Sequence, residues 1–256
     1  MIPKLIHYCW FGRNPLPKLA QKCIKSWKKY CPDYEIREWN EDNFDISSAP
    51  LYVKQAYEAK KWAFVTDYVR LDVIYRHGGI YLDTDVEVIR KLDPLLEHHA
   101  FFGLESGKYI ATGLGFGAEP KASILYDLMK DYQTIPFILP DNTFDLTTCP
   151  IRNTTVFAEN GILPSEDIQK LNDGTLVFPS EYFCPFELST GKLKLTLNTY
   201  TIHHFSGSWL SPEDHKKLKK SQRKRRWEQI RYAPNRALMS LLGDEKYSKL
   251  KTLFGK

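Results

Sequence analysis

Two aspartates, Asp83 and Asp85, stand two residues apart directly after the apolar run Ile80-Tyr81-Leu82. If extended geometry continues through them, alternate side chains share a face and both carboxylates project to one side. Paired hard oxygen donors at a strand end suit Mg²⁺ or Mn²⁺, which bind through one or two carboxylates and substrate phosphates. The same tripeptide also serves as a plain turn, and alone it does not choose between the two. Upstream, Asp67 and Arg70 lie three apart in a helical pattern and are therefore neighbours on one helix face. A carboxylate there can hold a sugar hydroxyl while the guanidinium forks onto a phosphate or sugar oxygen. The alternative is a surface salt bridge worth under ~1 kcal/mol. A third cluster runs Thr201-Ile202-His203-His204-Phe205-Ser206-Gly207-Ser208-Trp209. A neutral imidazole can complete a metal shell begun by two carboxylates, and an indole N–H can donate to a phosphate oxygen. Paired histidines after a strand also occur as structural residues.

The elements that must position these groups follow from the hydrophobic pattern. Lys4 to Cys9 reads as an opening strand, followed by the breakers Gly12, Pro15 and Pro17 and by a helical pattern through Leu19, Cys23, Ile24 and Trp27. Tyr34 to Trp39 alternates as a second strand, so the chain opens as an α/β domain with parallel pairing. Leu51 to Tyr75 is predicted as one long helical stretch, stopped by Gly78-Gly79 where a helix end favours a left-handed residue. Further strands are expected near Ala100 to Leu104, Leu114 to Gly117, Leu176 to Phe178 and Tyr200 to His203. Helices are expected near Ala122 to Tyr132 and Pro212 to Arg231. The glycines between Ile110 and Gly117 permit a close backbone approach to a ligand, or a bulged strand.

Composition excludes several classes. The 256 residues are 43% hydrophobic and 26% charged, which fits a globular protein and excludes disordered, collagenous and coiled-coil chains. Five cysteines without CxxC spacing suggest neither a zinc site nor a disulfide framework, so a reducing compartment is expected. The first ten residues lack the pattern of a signal peptide, and no apolar run approaches the ~20 residues of a membrane span. The net charge of +5 is uneven: residues Ser211 to Lys256 hold 14 basic and 5 acidic groups, a net of +9, on a body of net −4. Aspartyl-phosphate hydrolases use DxDx[TV], but Glu87 stands at the Thr/Val position here, and before Asp173-Gly174-Thr175 the nucleophile position is Leu171.

Together the motifs resemble the sugar-nucleotide glycosyltransferases of family 32, of capsular or exopolysaccharide type and related to the clostridial glucosylating toxins. The shared pattern is Thr66-Asp67-x-x-Arg70, then Gly78-Gly79-Ile80-Tyr81-Leu82-Asp83, then Asp83-x-Asp85, and the opening Ile2 to Gly12 is similar too. The resemblance is dense over residues 1 to 95. It implies a GT-A fold, α/β and Rossmann-like, over residues 1–210 with a basic helical extension over 211–256. It also implies a divalent metal, usually Mn²⁺, and a nucleotide-sugar donor. Residue by residue, it places Asp83 and Asp85 at the metal and diphosphate, Asp67 and Arg70 at the donor sugar, and Thr66 near the nucleoside. Trp10 falls where an aromatic ring stacks on the nucleobase, or serves ordinary strand packing, and Tyr81 is a donor contact or ordinary packing. His204-x-x-Gly207 resembles the HxxG ending of related transferases and makes His204 the expected third metal ligand. Ser208 and Trp209 resemble residues that close over the diphosphate. Cys149 stands where the family has the glycine of a Gly-Pro turn, which leaves Arg152 or Asn153 as acceptor contacts.

The resemblance implies a retaining hexosyltransferase using a UDP-sugar, with galactose preferred, and a glycan or lipid-linked oligosaccharide as acceptor in surface polysaccharide synthesis. The basic run Lys216 to Arg226 is expected to contact an anionic membrane at the cytoplasmic inner face, where polybasic clusters gain about 1 kcal/mol per Lys or Arg. No nucleic acid is expected, since the body is acidic and no nucleic-acid module is visible. The alternative is a non-catalytic membrane or nucleic-acid adaptor that uses the basic tail on a degenerate body.

Overall fold

The computed structural model describes residues 1–187, 192–207 and 216. The helix expected over Pro212 to Arg231, the extension 211–256 and the contacts expected of Lys216 to Arg226, Ser208 and Trp209 lie outside the described residues, apart from position 216. Contacts divide the chain into a large unit, Met1–Phe186 with Leu193–Trp209, and a second unit, Glu187–Lys192 with Leu210–Lys256. The site lies in the first.

The strands are β1 (Leu5–Cys9), β2 (Glu35–Trp39), β3 (Gly79–Tyr81), β4 (Val86–Val88), β5 (Ala100–Glu105), β6 (Tyr109–Ile110), β7 (Phe116–Ala118), β8 (Gln169–Lys170), β9 (Leu176–Phe178), β10 (Phe186–Glu187), β11 (Lys192–Leu193) and β12 (Thr201–His203). The helices are α1 (Lys18–Tyr30), α2 (Leu51–Glu58), α3 (Trp62–His77), α4 (Ser123–Thr134), α5 (Cys149–Glu159) and α6 (Ser180–Phe183). The main sheet has the order β2-β1-β3-β7-β5-β9-β8, with β6 paired to β5. β1 is parallel to both β2 and β3, β7 runs against β3 and β5, and β5 is parallel to β9. The α/β class expected from the sequence is therefore present as a mixed sheet. Because β2 and β3 flank β1 on opposite sides, the strand order reverses at β1, and ligands of open α/β sheets gather beyond the strand C-termini at such a point.

Two apolar layers cover the sheet. One face packs Phe102, Leu104 and Phe116 against Tyr52, Val69 and Leu125 from α2, α3 and α4. The other packs Ile6, Ile80 and Phe101 against Trp27 of α1, Phe183 of α6 and Val86 of β4. The Trp27 indole also donates to Val86 O at 2.8 Å, which anchors the segment carrying both aspartates onto α1. β4 pairs antiparallel with β12, joining His203 to Val86 in register.

Two expectations need correction. The long helix expected from Leu51 to Tyr75 is two helices: Lys60 adopts φ 55° and Lys61 N donates back to Ala56 O at 2.8 Å, ending α2 in a left-handed turn. Lysine at that position hides the break, because no Gly or Pro marks it. The strand expected from Leu114 to Gly117 begins two residues later, after a 3₁₀ turn over Thr112–Leu114.

Gly78 and Gly79 make the turn from α3 into β3 with φ 64° and 106°. A Cβ on Gly79 would stand 2.5 Å from Leu5 O, so that position has neither the space nor the backbone conformation for a side chain. His7 secures the same corner: Nε2–H donates to Gly78 O at 2.9 Å and Nδ1 accepts from the Trp39 indole at 2.8 Å. Burial lowers the His7 pKa to about 4, so the ring stays neutral in this role. Gly79→Ala is expected to destabilise the protein by on the order of 2–4 kcal/mol, combining a left-handed Cβ with a backbone clash. Urea denaturation followed by circular dichroism would measure it, and an unchanged midpoint would contradict the tight β1–β3 corner.

Candidate functional site

The chain leaves β3 at Tyr81 and turns, with Val86 N donating to Asp83 O at 2.9 Å. The two aspartates therefore sit on a turn between β3 and β4, not on a continuing strand as the alternation suggested. The turn nevertheless brings them together. Ligand atoms of Asp83, Asp85 and His203 all lie within 4.8 Å of one another, and the His203 Nε2 is 3.3 Å from Asp85 Oδ1.

His203 thus occupies the place expected for His204. Antiparallel pairing of β12 with β4 sets His203 opposite Val86, and the chain turns away at once through Phe205 at φ 49°. His204 is directed instead to Glu87, with Nε2 2.8 Å from Oε2. The HxxG reading counts back from Gly207, whereas strand pairing decides which histidine enters the cluster.

Asp85 is 8% exposed and strongly held. Burial opposes its charge, but His203 and the Ser206 backbone N–H, donating to Oδ2 at 2.7 Å, outweigh that and keep its pKa far below the usual carboxylate range. His203 responds in the opposite sense. Burial disfavours its imidazolium, yet Asp85, then Asp83 and Glu105, raise its pKa above the ordinary value.

Behind the cluster stands Arg70, 3% exposed. Its guanidinium donates to Asp67 Oδ1 at 3.0 Å, to Thr66 Oγ1 at 3.1 Å and to Thr66 O at 3.0 Å, and reaches Asp83 Oδ2 at 3.5 Å. It also lies 5.1 Å over the Tyr81 ring. The Asp67–Arg70 pair is therefore buried, not the surface bridge of the bland alternative. At 7% and 3% exposure the two are joined to each other, and Arg70 alone reaches on to Asp83. Tyr81 is 1% exposed and its hydroxyl donates to Asp83 Oδ1 at 3.0 Å, so it positions a carboxylate. Burial, offset by Arg70 and reinforced by Asp85, raises the Asp83 pKa. Gly113 closes the other side: a Cβ there would stand 2.6 Å from Asp83 Oδ2 and 3.2 Å from Arg70 Nη1. The close-approach reading of the glycine-rich segment thus applies to a site side chain.

Trp10 follows β1 at the strand edge shared with Asp83, half-buried, its indole donating to Asn14 O at 2.5 Å. Thr66 lies one residue before Asp67, and its hydroxyl donates to Ala63 O at 2.8 Å. Cys149 begins α5, is buried, and its thiol accepts from Thr112 Oγ1 at 3.8 Å. Asn153 is buried against Thr112, while Arg152 is held between Asp131 and Asp145.

Residues 17–102 match the family model described as "Glycosyltransferase sugar-binding region containing DXD motif". That match includes Asp67, Arg70, Asp83 and Asp85. The chain is 36% identical over 120 residues to "Inositol phosphoceramide mannosyltransferase 3" of Schizosaccharomyces pombe, covering 45% of this chain and 33% of that protein. It is 32% identical over 121 residues to "Uncharacterized glycosyltransferase L373" of Acanthamoeba polyphaga mimivirus, covering 44% and 47%. The chain thus spans a third to a half of the length of these curated relatives. Among solved structures it is similar to "PaToxG Glycosyltransferase", with a TM-score of 0.46, 15% identity, and 62% and 69% of the two chains covered.

Burial, opposed by Arg70, raises the Asp67 pKa from 3.8 to about 6. The folded state then holds a proton that the unfolded state has released between these values, so this group removes stability as pH rises from about 4 to about 6. Relative to wild type, Asp67→Asn is expected to gain up to about 3 kcal/mol across that window, at roughly 1.4 kcal/mol per pKa unit. Denaturant titrations at a series of pH values would show it, and a difference that stays flat from pH 4 to 7 would contradict the assignment.

Proposed function

We propose that the chain is a metal-dependent GT-A glycosyltransferase that moves a hexose from a nucleotide-sugar to a glycan or lipid-linked acceptor. The observation that carries this is the convergence of Asp83, Asp85 and His203 within 4.8 Å beyond the C-terminal strand edge, with both aspartates inside the matched glycosyltransferase region. Two carboxylates and an imidazole suit Mn²⁺ or Mg²⁺, with remaining positions left for diphosphate oxygens. The donor set fits that ion: Asp85 stays ionised, and His203 bears a nitrogen 3.3 Å from it. When bound, the metal offsets charge on the departing diphosphate.

The chain's own residues supply position. Arg70 and Tyr81 hold the two oxygens of Asp83, and Ser206 N and His203 hold those of Asp85. Fixed carboxylates need no reorganisation during the reaction, so catalysis is mostly positioning and electrostatic stabilisation. Retention of configuration is part of this reading, as the family resemblance implies. UDP-galactose is the donor the resemblance favours, and the mannosyltransferase name of a relative supports a mannosyl donor beside it. Asp85→Ala, or EDTA, is expected to lower transfer and donor hydrolysis by at least 100-fold. UDP or GDP with Mn²⁺ is expected to raise the melting temperature more than either alone. Full turnover of UDP-galactose or GDP-mannose in EDTA would overturn the reading.

The basic run Lys216 to Arg226 supports a peripheral contact with an anionic membrane at the cytoplasmic inner face, where a lipid-linked acceptor in surface polysaccharide synthesis would lie. Among the described residues no helix is long and apolar enough to cross a membrane. Replacing the lysines and arginines of this run by glutamine is expected to abolish sedimentation with phosphatidylserine vesicles at 0.1 M salt. Undiminished sedimentation would remove the membrane role and leave the catalytic reading intact.

A further inference from the structure

His203 presents Nε2 to the aspartates, and its other ring nitrogen, Nδ1, is buried without a hydrogen-bond partner. A buried imidazole N–H left unpaired costs free energy, and metal-ligating histidines almost always direct their second nitrogen to a carboxylate, carbonyl or water. One further carboxylate acts on this ring. Glu105 is half-buried at the C-terminal end of β5, and its side chain makes no hydrogen bond or ion pair among the described residues. Its influence on His203 is electrostatic and favours the charged ring, while its own pKa is raised by burial.

The fold places the two residues on the same side of the same edge. β5 runs parallel to β3, so Glu105 ends its strand where Asp83 follows β3. Alternation along β5 puts Glu105 on the face of Phe101 and Gly103, and a Cβ on Gly103 would stand 2.6 Å from the Phe183 ring. That face is also the β12 side: the Thr201 hydroxyl donates to Phe183 O at 3.0 Å, and Tyr200 N donates to Tyr182 O at 2.7 Å. The turn after Glu105 is pinned to the same short helix, with Gly107 N donating to Ser180 Oγ at 2.7 Å. Ser106 and Gly107, at φ 52° and 66°, form the tight turn closed by Lys108 N to Glu105 O at 3.0 Å. One four-residue helix, α6, therefore holds both the strand that carries His203 and the turn that aims Glu105.

We propose that Glu105 is a positioning residue for the cation site: its carboxylate accepts the Nδ1–H of His203 through one bridging water, and so turns the Nε2 lone pair toward the cation. This rests on the metal reading above. The neutral ring then carries its proton on Nδ1, and Nε2 is left free to ligate.

The test is Mn²⁺ binding to the full chain without nucleotide, followed by electron paramagnetic resonance in wild type, Glu105→Leu, Glu105→Gln, His203→Ala and Asp85→Ala. Glu105→Leu, which removes the acceptor at similar volume, is expected to weaken binding by about 10- to 100-fold. It is also expected to alter the ¹⁴N hyperfine coupling of the ligating imidazole. Glu105→Gln keeps an acceptor oxygen and is expected to recover most of the affinity. If Glu105→Leu does not fold by circular dichroism, the ¹⁴N coupling of Glu105→Gln is read instead, since loss of the carboxylate charge is expected to shift it. Wild-type affinity and coupling in both Glu105 variants, with binding weakened in His203→Ala and Asp85→Ala, would overturn the role of Glu105 alone. Wild-type affinity in all four variants would overturn the metal reading itself.

Discussion

One guanidinium shared by two carboxylates organises this site. Arg70 is almost fully buried, and both Asp67 and Asp83 lean on it. A buried charge must be paired and hydrogen-bonded, so Arg70 ties α3 to the aspartate turn through Asp67 and Thr66 on one side and Asp83 on the other. With one cation between them, Asp67 and Asp83 both remain harder to ionise than an ordinary aspartate. Asp85, which has His203 and a backbone N–H of its own, remains easier. The three carboxylates are therefore electrostatically unequal. Gly113 belongs to the same constraint, because any side chain there would meet the Arg70–Asp83 contact.

The sheet order explains why Trp10 and Asp83 come out side by side. β1 and β3 are neighbours whose flanking partners lie on opposite sides, and Trp10 and Asp83 emerge from their C-terminal ends. A crevice at such a reversal is filled by no connection of the chain. Leu82 and Val86 on the same turn still bury themselves on α1 and its layer.

Much of this was legible in sequence where local chemistry decides. The opening strand and helix, the Gly-Gly turn, and the Asp67/Arg70 and Asp83/Asp85 pairs depend on spacing within a few residues, and spacing is what a sequence displays. Burial of the Asp67–Arg70 pair was not legible, since i,i+3 spacing is identical in a solvated bridge. Nor was the choice between His203 and His204. That choice is made by the register of β12 on β4, between segments far apart in the chain, and a slip of one residue would exchange the two. The division between α2 and α3 rests on a left-handed lysine with no compositional mark. Glu105 carried no signal at all: a single glutamate before Ser-Gly reads as a hairpin end, and its setting comes from α6, some 75 residues later by sequence numbering.

The β4–β12 ladder also has a temporal meaning. Ser206 and Asp85, joined by a hydrogen bond, are separated by 121 positions. During synthesis the aspartates emerge, and the β1–β3 half of the sheet can form, well before the histidine that completes their cluster. Pairing of that kind closes a long loop and is slow compared with local folding. A nascent chain shorter than about 200 residues therefore displays Asp83 held by Arg70 and Asp85 without its partners, and has no third donor. Assembly of the complete cluster is in effect a report that synthesis has passed β12.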